Sequence, residues 1–185
     1  MYQSKRLILR PFREEDARHI MEMRSDFRDV QSYVGRPFPN DEAGEKEWIA
    51  SMYHKGPLTN IHLVVEEKET NSFVGFVVAS NISYTHRNAH VGVFFHKKAR
   101  GKGYYKEAQI IFYAYLFREI NLHKVTSGII PYNEIAVKIT AAIGFQTDGV
   151  RREQFYQNGK YYDEILISLL ARDFFEQNKV DEVIL

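Results

Sequence analysis

The chain has 185 residues, 44% hydrophobic and 14% aromatic, enough for one domain around one sizeable core and too apolar for global disorder. Its 25 basic and 24 acidic residues leave a formal charge of +1, which argues against a protein built to wrap bare nucleic acid. The absence of cysteine excludes a disulfide scaffold, thiolate-bound zinc, iron–sulfur clusters and a cysteine nucleophile.

No apolar run reaches the roughly 18 residues of a membrane span, and the first ten residues lack the apolar stretch of a secretory leader. The expectation is a cytoplasmic protein with no membrane partner and no nucleic-acid partner. No repeat or Pro/Gly/Ser-rich linker divides the chain. Residues 1–173 are expected to form the domain, and 174–185 a tail whose apolar Phe174-Phe175 and Val183-Ile184-Leu185 dock on the body or on a partner chain.

Leu7 to Arg10, closed by Pro11, reads as a strand. Glu14, Glu15 and Asp16 then open a helix carrying Ala17, Ile20, Met21 and Arg24 at helical spacing, with acidic residues at the positive end of its dipole. A second helix is expected from Asp41 to His54, capped by Asn40 or Asp41 and stopped by Gly56-Pro57, with Trp48, Ile49 and Met52 on one face. The period then changes to two. Ile61, Leu63 and Val65 alternate, Glu69 to Ser72 turns, and Phe73 to Ile82 returns as the second strand of a hairpin.

Ala89 to Phe95 is a further strand, and Gly103 to Glu119 a helix marked by Ala108, Ile111, Phe112, Tyr115 and Leu116. Lys124 to Ile130 reads as a strand and Asn133 to Ala142 as a helix ended by Gly144. Phe145 and Leu166 fall in the two strands of a last hairpin turning at Asn158-Gly159. The order β-α-α-β-β-β-α-β-α-β-β predicts an α+β domain around one mixed sheet, not a doubly wound one.

The chemistry concentrates between Phe94 and Lys106. A strand runs into a loop holding Lys97, Lys98, Arg100, Gly101, Lys102 and Gly103, and a helix starts straight after. Glycines let the backbone turn and approach a ligand closely, and the helix start aims unpaired N–H groups at it. That combination favours a phosphorylated ligand. Neither the G-x-x-x-x-G-K-[ST] loop nor the G-x-G-x-x-G fingerprint is present, since Lys106 stands where the latter needs a third glycine.

Arg100 and Gly103 in this setting resemble the Gln/Arg-x-x-Gly-x-Gly/Ala coenzyme A loop of the GNAT superfamily of N-acetyltransferases. Arg6 to Pro11, Asn121 to Val125, Asn133 to Ala136, Ile143-Gly144-Phe145, Gly149 to Arg152 and Asn158 to Asp163 are similar, in order, to its ribosomal-protein-alanine and spermidine N-acetyltransferase branch. The resemblance implies a single GNAT-like domain that moves the acetyl group of acetyl-CoA to a primary amine by direct attack. The acceptor is a protein N-terminus, a polyamine or another small amine, and a homodimer is a possible assembly.

It further implies that Val93, Phe94 and Phe95 hold the pantetheine arm through backbone groups and that Arg100, Gly101, Lys102, Gly103, Tyr104, Tyr105 and Lys106 cradle the pyrophosphate. Asn133 and Lys138 would contact the cofactor from the next helix. Asn133 also fits an ordinary helix cap, and Lys138 an ordinary solvated lysine.

A primary amine near pKa 10 is about one part in a thousand free at neutral pH, so a base is needed. His90 is the candidate, on the strand that enters the loop, with an ordinary pKa near 6.5. The alternative is a histidine that only packs. Spermidine-type relatives carry a tyrosine where this chain has Thr140, and ribosomal-protein-type relatives a serine where it has Ala136, so no acid is assigned. Those two departures keep a non-catalytic acyl-CoA-binding module open as the second reading. His86, His90 and His96 share one parity, but four strand residues span about 13 Å, too far for one zinc ion, so no metal is expected.

Overall fold

The computed structural model describes residues 2–25, 40–52 and 58–180. In chain order the elements are β1 (Leu7–Arg10), α1 (Ala17–Ser25, entered through a 3-10 turn at Glu14–Asp16), α2 (Glu42–Ser51), β2 (Ile61–Glu67), β3 (Ser72–Ser83) and β4 (Asn88–Phe95). A 3-10 turn at Lys97–Ala99 leads to α3 (Tyr104–Arg118), β5 (Lys124–Ile129), α4 (Glu134–Ile143), β6 (Gln146–Gln157), β7 (Lys160–Leu170) and α5 (Ala171–Gln177).

The seven strands form one sheet in the order β1-β2-β3-β4-β5-β7-β6. Every neighbouring pair is antiparallel except β4 and β5. That parallel pair is joined by the α3 crossover, the connection a parallel pair requires. The sheet is mixed and the class α+β, as expected from the element order.

Alternate residues of the central strands face two different layers. Val77, Val91 and Phe95 join α3, α4 and α5 in the larger core, where Ile111, Phe112, Leu116, Ile143 and Phe174 are fully buried. On the opposite face Val64 and Phe76 pack with Phe12, Ile20, Met23 and Ile49 from the α1 and α2 layer, and Phe94 stacks on Phe76 at 4.7 Å between ring centres. Arg10 anchors α1 on that face. Its guanidinium reaches Asp16 at 2.8 and 2.9 Å and Glu66 at 2.5 Å, with all three side chains buried. Burial works against the charge on Arg10, but hydrogen bonds and charges from Asp16 and Glu66 outweigh it and raise its pKa.

Local chemistry explains most boundaries. Asp41 caps α2 by accepting from the Gly44 N–H at 2.8 Å, and Asn133 caps α4 by accepting from the Ala136 N–H at 3.2 Å. Asn158 (φ 51°) and Gly159 (φ 76°) make the left-handed turn of the last hairpin.

Three readings need correction. Phe145 lies one residue ahead of β6, buried in the larger core rather than in the strand. The boundary drawn at residue 173 falls inside α5, whose Phe174 is 0% exposed. His86 sits in the turn after β3, and His96 caps the 3-10 turn after β4, so the shared strand parity of the three histidines does not exist. Residues 53–57, which include the expected end of the second helix, and 181–185 with the last three apolar residues, lie outside the described residues. Among the described residues no helix is long and apolar enough to cross a membrane.

Candidate active site

β4 and β5 pair at only three positions, Asn88 with Lys124, Ala89 with Val125 and His90 with Thr126. Beyond them the strands part, with the Ser127 hydroxyl donating to the Val91 carbonyl at 2.9 Å at the fork. The other edge of β4 stays paired with β3 through Phe95, so the edge of β4 facing the gap from Gly92 onward offers backbone groups to whatever enters.

Two connected cavities fill this gap. One, of about 430 Å3, lies over the glycine loop and is lined by Val93, Phe95, Arg100, Gly101, Gly103, Tyr104, Tyr105, Lys106 and Asn133, with Ile135, Ala136 and Ile139 of α4 as its apolar wall. The second, of about 300 Å3, takes His90, Phe94 and Glu164 from one face of the sheet and Gln109, Tyr113, Ala136 and Thr140 from the other. It therefore pierces the sheet. Val93, Tyr105, Asn133 and Ala136 line both cavities and mark where they join.

The loop is shaped by backbone conformation. Gly101 and Gly103 adopt φ of 77° and 74°, and Gly103 is the N-cap of α3, with no side-chain cap on the first turn. The N–H groups at the start of α3 thus adjoin the first cavity, with Arg100 and Lys106 beside them. From outside, Arg6 secures the loop by pairing with Glu107, donating to the Lys102 carbonyl at 3.0 Å and covering the Tyr104 ring at 4.7 Å. The Tyr104 hydroxyl donates to Glu67, which raises its pKa.

Two sequence-predicted residues stand apart from these cavities. Lys102 lines a different cavity, on the α1 side of the loop. Lys138 is exposed on α4, paired with Glu134 at 3.8 Å. Asn133 is both helix cap and cavity wall.

His90 lines the second cavity and stays open to solvent through it. The protein around it still pushes its pKa below 6.5 by desolvation, with Glu164 pulling it up and Arg151 pushing it down. The imidazole is thus neutral near pH 7 and able to accept a proton. Glu164, buried and paired with Arg151 at 3.0 Å, lies on the same face. No local motif marks it: it enters through the β5–β7 pairing, and Gly128 of β5 makes room for it, since a Cβ there would collide with its carboxylate. Thr140 is committed elsewhere, its hydroxyl donating to the Ala136 carbonyl at 2.8 Å. Among the described residues no three His, Asp or Glu side chains gather into a metal-holding group.

Comparison with known proteins agrees with this geometry. The acetyltransferase (GNAT) domain family matches residues 6–146. The spermidine N(1)-acetyltransferase of Vibrio cholerae is 26% identical over 179 residues, covering 95% of this chain and 99% of its own. An uncharacterised N-acetyltransferase of Bacillus subtilis, YoaA, is 26% identical over 91% of this chain and 95% of its own. The crystal structure of the Vibrio cholerae spermidine N-acetyltransferase with CoA and spermine superposes with a TM-score of 0.84 at 24% identity, covering 91% of this chain and 98% of that one. The chain belongs to the GNAT acetyltransferases and is an acetyl-CoA-dependent N-acetyltransferase.

Proposed function

We propose that the acceptor is a small polyamine and that the two faces of the sheet divide the work. The observation that carries this reading is the passage through the sheet, with the glycine loop and the α3 start at one end and His90 with Glu164 at the other. Acetyl-CoA lies along the free edge of β4, with its pyrophosphate at Arg100 to Lys106 and its pantetheine on backbone groups of Val93, Phe94 and Phe95. The amine approaches from the face of His90, where the buried Glu164 carboxylate, held by Arg151 at 3.0 Å, lines the cavity as a hydrogen-bond acceptor. As the amine nitrogen attacks the thioester carbonyl it becomes acidic, and His90 takes its proton. The likeness over nearly the whole chain to a spermidine N(1)-acetyltransferase supports the polyamine class. In this reading the transfer uses no metal, and neither a membrane nor a nucleic acid is a partner.

Release of free thiol from acetyl-CoA, read with a thiol-reactive dye against polyamines, N-terminal peptides, amino sugars, amino acids and aminoglycosides, tests the acceptor. The chain contributes no thiol of its own. Release that depends on polyamines is the expected result. Release with peptide N-termini alone would replace the acceptor, and no release with any amine while CoA binds would overturn the catalytic reading.

The loop gives a separate prediction. A Cβ on Gly103 would meet only the Arg6 guanidinium at 3.7 Å, so space does not forbid it, but the φ of 74° does. Left-handed backbone costs a non-glycine residue about 1–2 kcal/mol. Gly103→Ala is expected to lose about that much, as lower stability or as roughly tenfold weaker CoA binding. Denaturant melts with and without CoA separate the two.

A further inference from the structure

A third cavity, of about 400 Å3, opens on the far side of the glycine loop, between that loop and α1. Its volume lies within the range of small-molecule sites. Ala99 and Tyr104 border both this cavity and the groove over the glycine loop, so the loop is a wall shared by the two. The reacting amine is elsewhere. His96 lines this cavity and His90 the reaction cavity, and six residues of extended chain, about 20 Å, lie between them.

The lining carries positive charge that the protein itself leaves unanswered. Arg18 of α1 meets Lys98 and Lys102 of the loop across the hollow. The carboxylate on the same wall, Glu67, is occupied by hydroxyls, accepting from Thr70 at 2.6 Å and from Tyr104. Glu22 lies 3.4 Å from the His96 imidazole and 3.8 Å from the Lys98 ammonium. Among the described residues no carboxylate pairs with Arg18 or Lys102, and the Lys102 ammonium stands 5.6 Å from the Tyr104 ring instead. The backbone beneath both lysines is fixed. Buried His96 accepts from the Lys98 N–H at 3.2 Å, and the Lys102 carbonyl accepts from Arg6 at 3.0 Å. In a chain whose formal charge is only +1, three cations gathered on one hollow are a local excess.

From this placement we propose that the cavity is a second anion site, for a small phosphate-bearing molecule, filled at the same time as the CoA groove. A guanidinium and two ammonium groups match the double charge and several acceptor oxygens of a phosphate, which a monocarboxylate does not supply. The same charge turns away a cationic acceptor, so the site is separate from that of the amine. Bound there, the anion joins Arg18 of α1 to the loop from the side opposite CoA. The two ligands then bear on one segment of chain, and any effect of one on the affinity of the other is reciprocal.

The test uses protein saturated with CoA, so that the cradle on the loop's other face is already filled. Inorganic phosphate, glycerol 3-phosphate, glycerol and acetate are titrated into it by calorimetry. A phosphate probe should bind with a Kd of about 1 mM or tighter, and glycerol and acetate should not bind. Tighter binding of glycerol 3-phosphate identifies an organic phosphate as the ligand, and equal or tighter binding of inorganic phosphate identifies the free ion. Arg18 and Lys98 are exposed and lie outside the CoA groove. Arg18→Gln and Lys98→Gln should therefore melt like the parent and keep its CoA affinity, while each weakens the phosphate probe at least about tenfold. Displacement of the probe by CoA, binding that survives both substitutions, acetate binding as tight as phosphate, or no phosphate binding at all overturns the proposal.

Discussion

An Arg10→Met protein is expected to be less stable by about 3–5 kcal/mol, the cost of leaving buried carboxylates without their cation. Arg10 sits between Asp16 and Glu66, with contacts at 2.5 to 2.9 Å and all three side chains buried. Methionine fills the stem but neutralises neither carboxylate. For a chain of this size the loss corresponds to a melting temperature lower by roughly 10 °C, since each kcal/mol moves it about 2–4 °C. Asp16 also accepts from the Arg13 N–H at 2.7 Å, so its carboxylate keeps one partner, whereas Glu66 has lost its guanidinium. Adding Glu66→Met to Arg10→Met should therefore recover a large part of the loss. A single Arg10→Met costing under about 1 kcal/mol would show that the triad is solvated and does not hold α1 to the sheet. The functional consequence follows from Phe94, which stacks on Phe76 beneath the α1 and α2 layer while lining the reaction cavity. Loosening that layer should blur the cavity wall before the chain unfolds.

That triad shows where the sequence stopped being informative. Arg10 and Glu66 are 56 positions apart, and nothing local to either says that they meet. The elements themselves were legible, because α3 repeats its apolar residues at helical spacing and the two glycines between β4 and α3 need left-handed backbone that few other residues adopt. The loop could therefore be read as an anion cradle from its residue types alone. The fate of its side chains could not. Tyr104 and Tyr105 are adjacent and chemically identical, yet Tyr104 is buried with its hydroxyl on Glu67 of β2 and its ring under Arg6, while Tyr105 lines both cavities. Glu164 enters the site only through strand register. The three histidines failed for the opposite reason: parity assumes one continuous strand, and the chain leaves the strand before His86 and after Phe95.

The largest expected effect on catalysis is at His90. His90→Gln keeps a polar side chain of similar reach and removes the group that titrates, and kcat is expected to fall by about 100-fold or more, the usual contribution of a positioned base. The pH profile makes the test specific. Desolvation lowers the His90 pKa from 6.5, so the basic, neutral imidazole persists to lower pH than in a free histidine. The wild-type log kcat/KM should accordingly rise with unit slope through neutrality, as the free amine becomes available, and fall more steeply on the acid side below a midpoint under 6.5, as His90 gains its proton. In His90→Gln that acid limb should disappear. The slope that comes from the substrate amine near pKa 10 should stay, because it belongs to the acceptor and not to the protein. Glu164→Gln separates charge from proton transfer. Since Glu164 raises the His90 pKa, its neutral replacement should move the acid limb to still lower pH while leaving the base in place. A His90→Gln protein that retains the limb, or whose activity drops only in step with its CoA affinity, would make the histidine a packing residue and leave deprotonation of the amine to water.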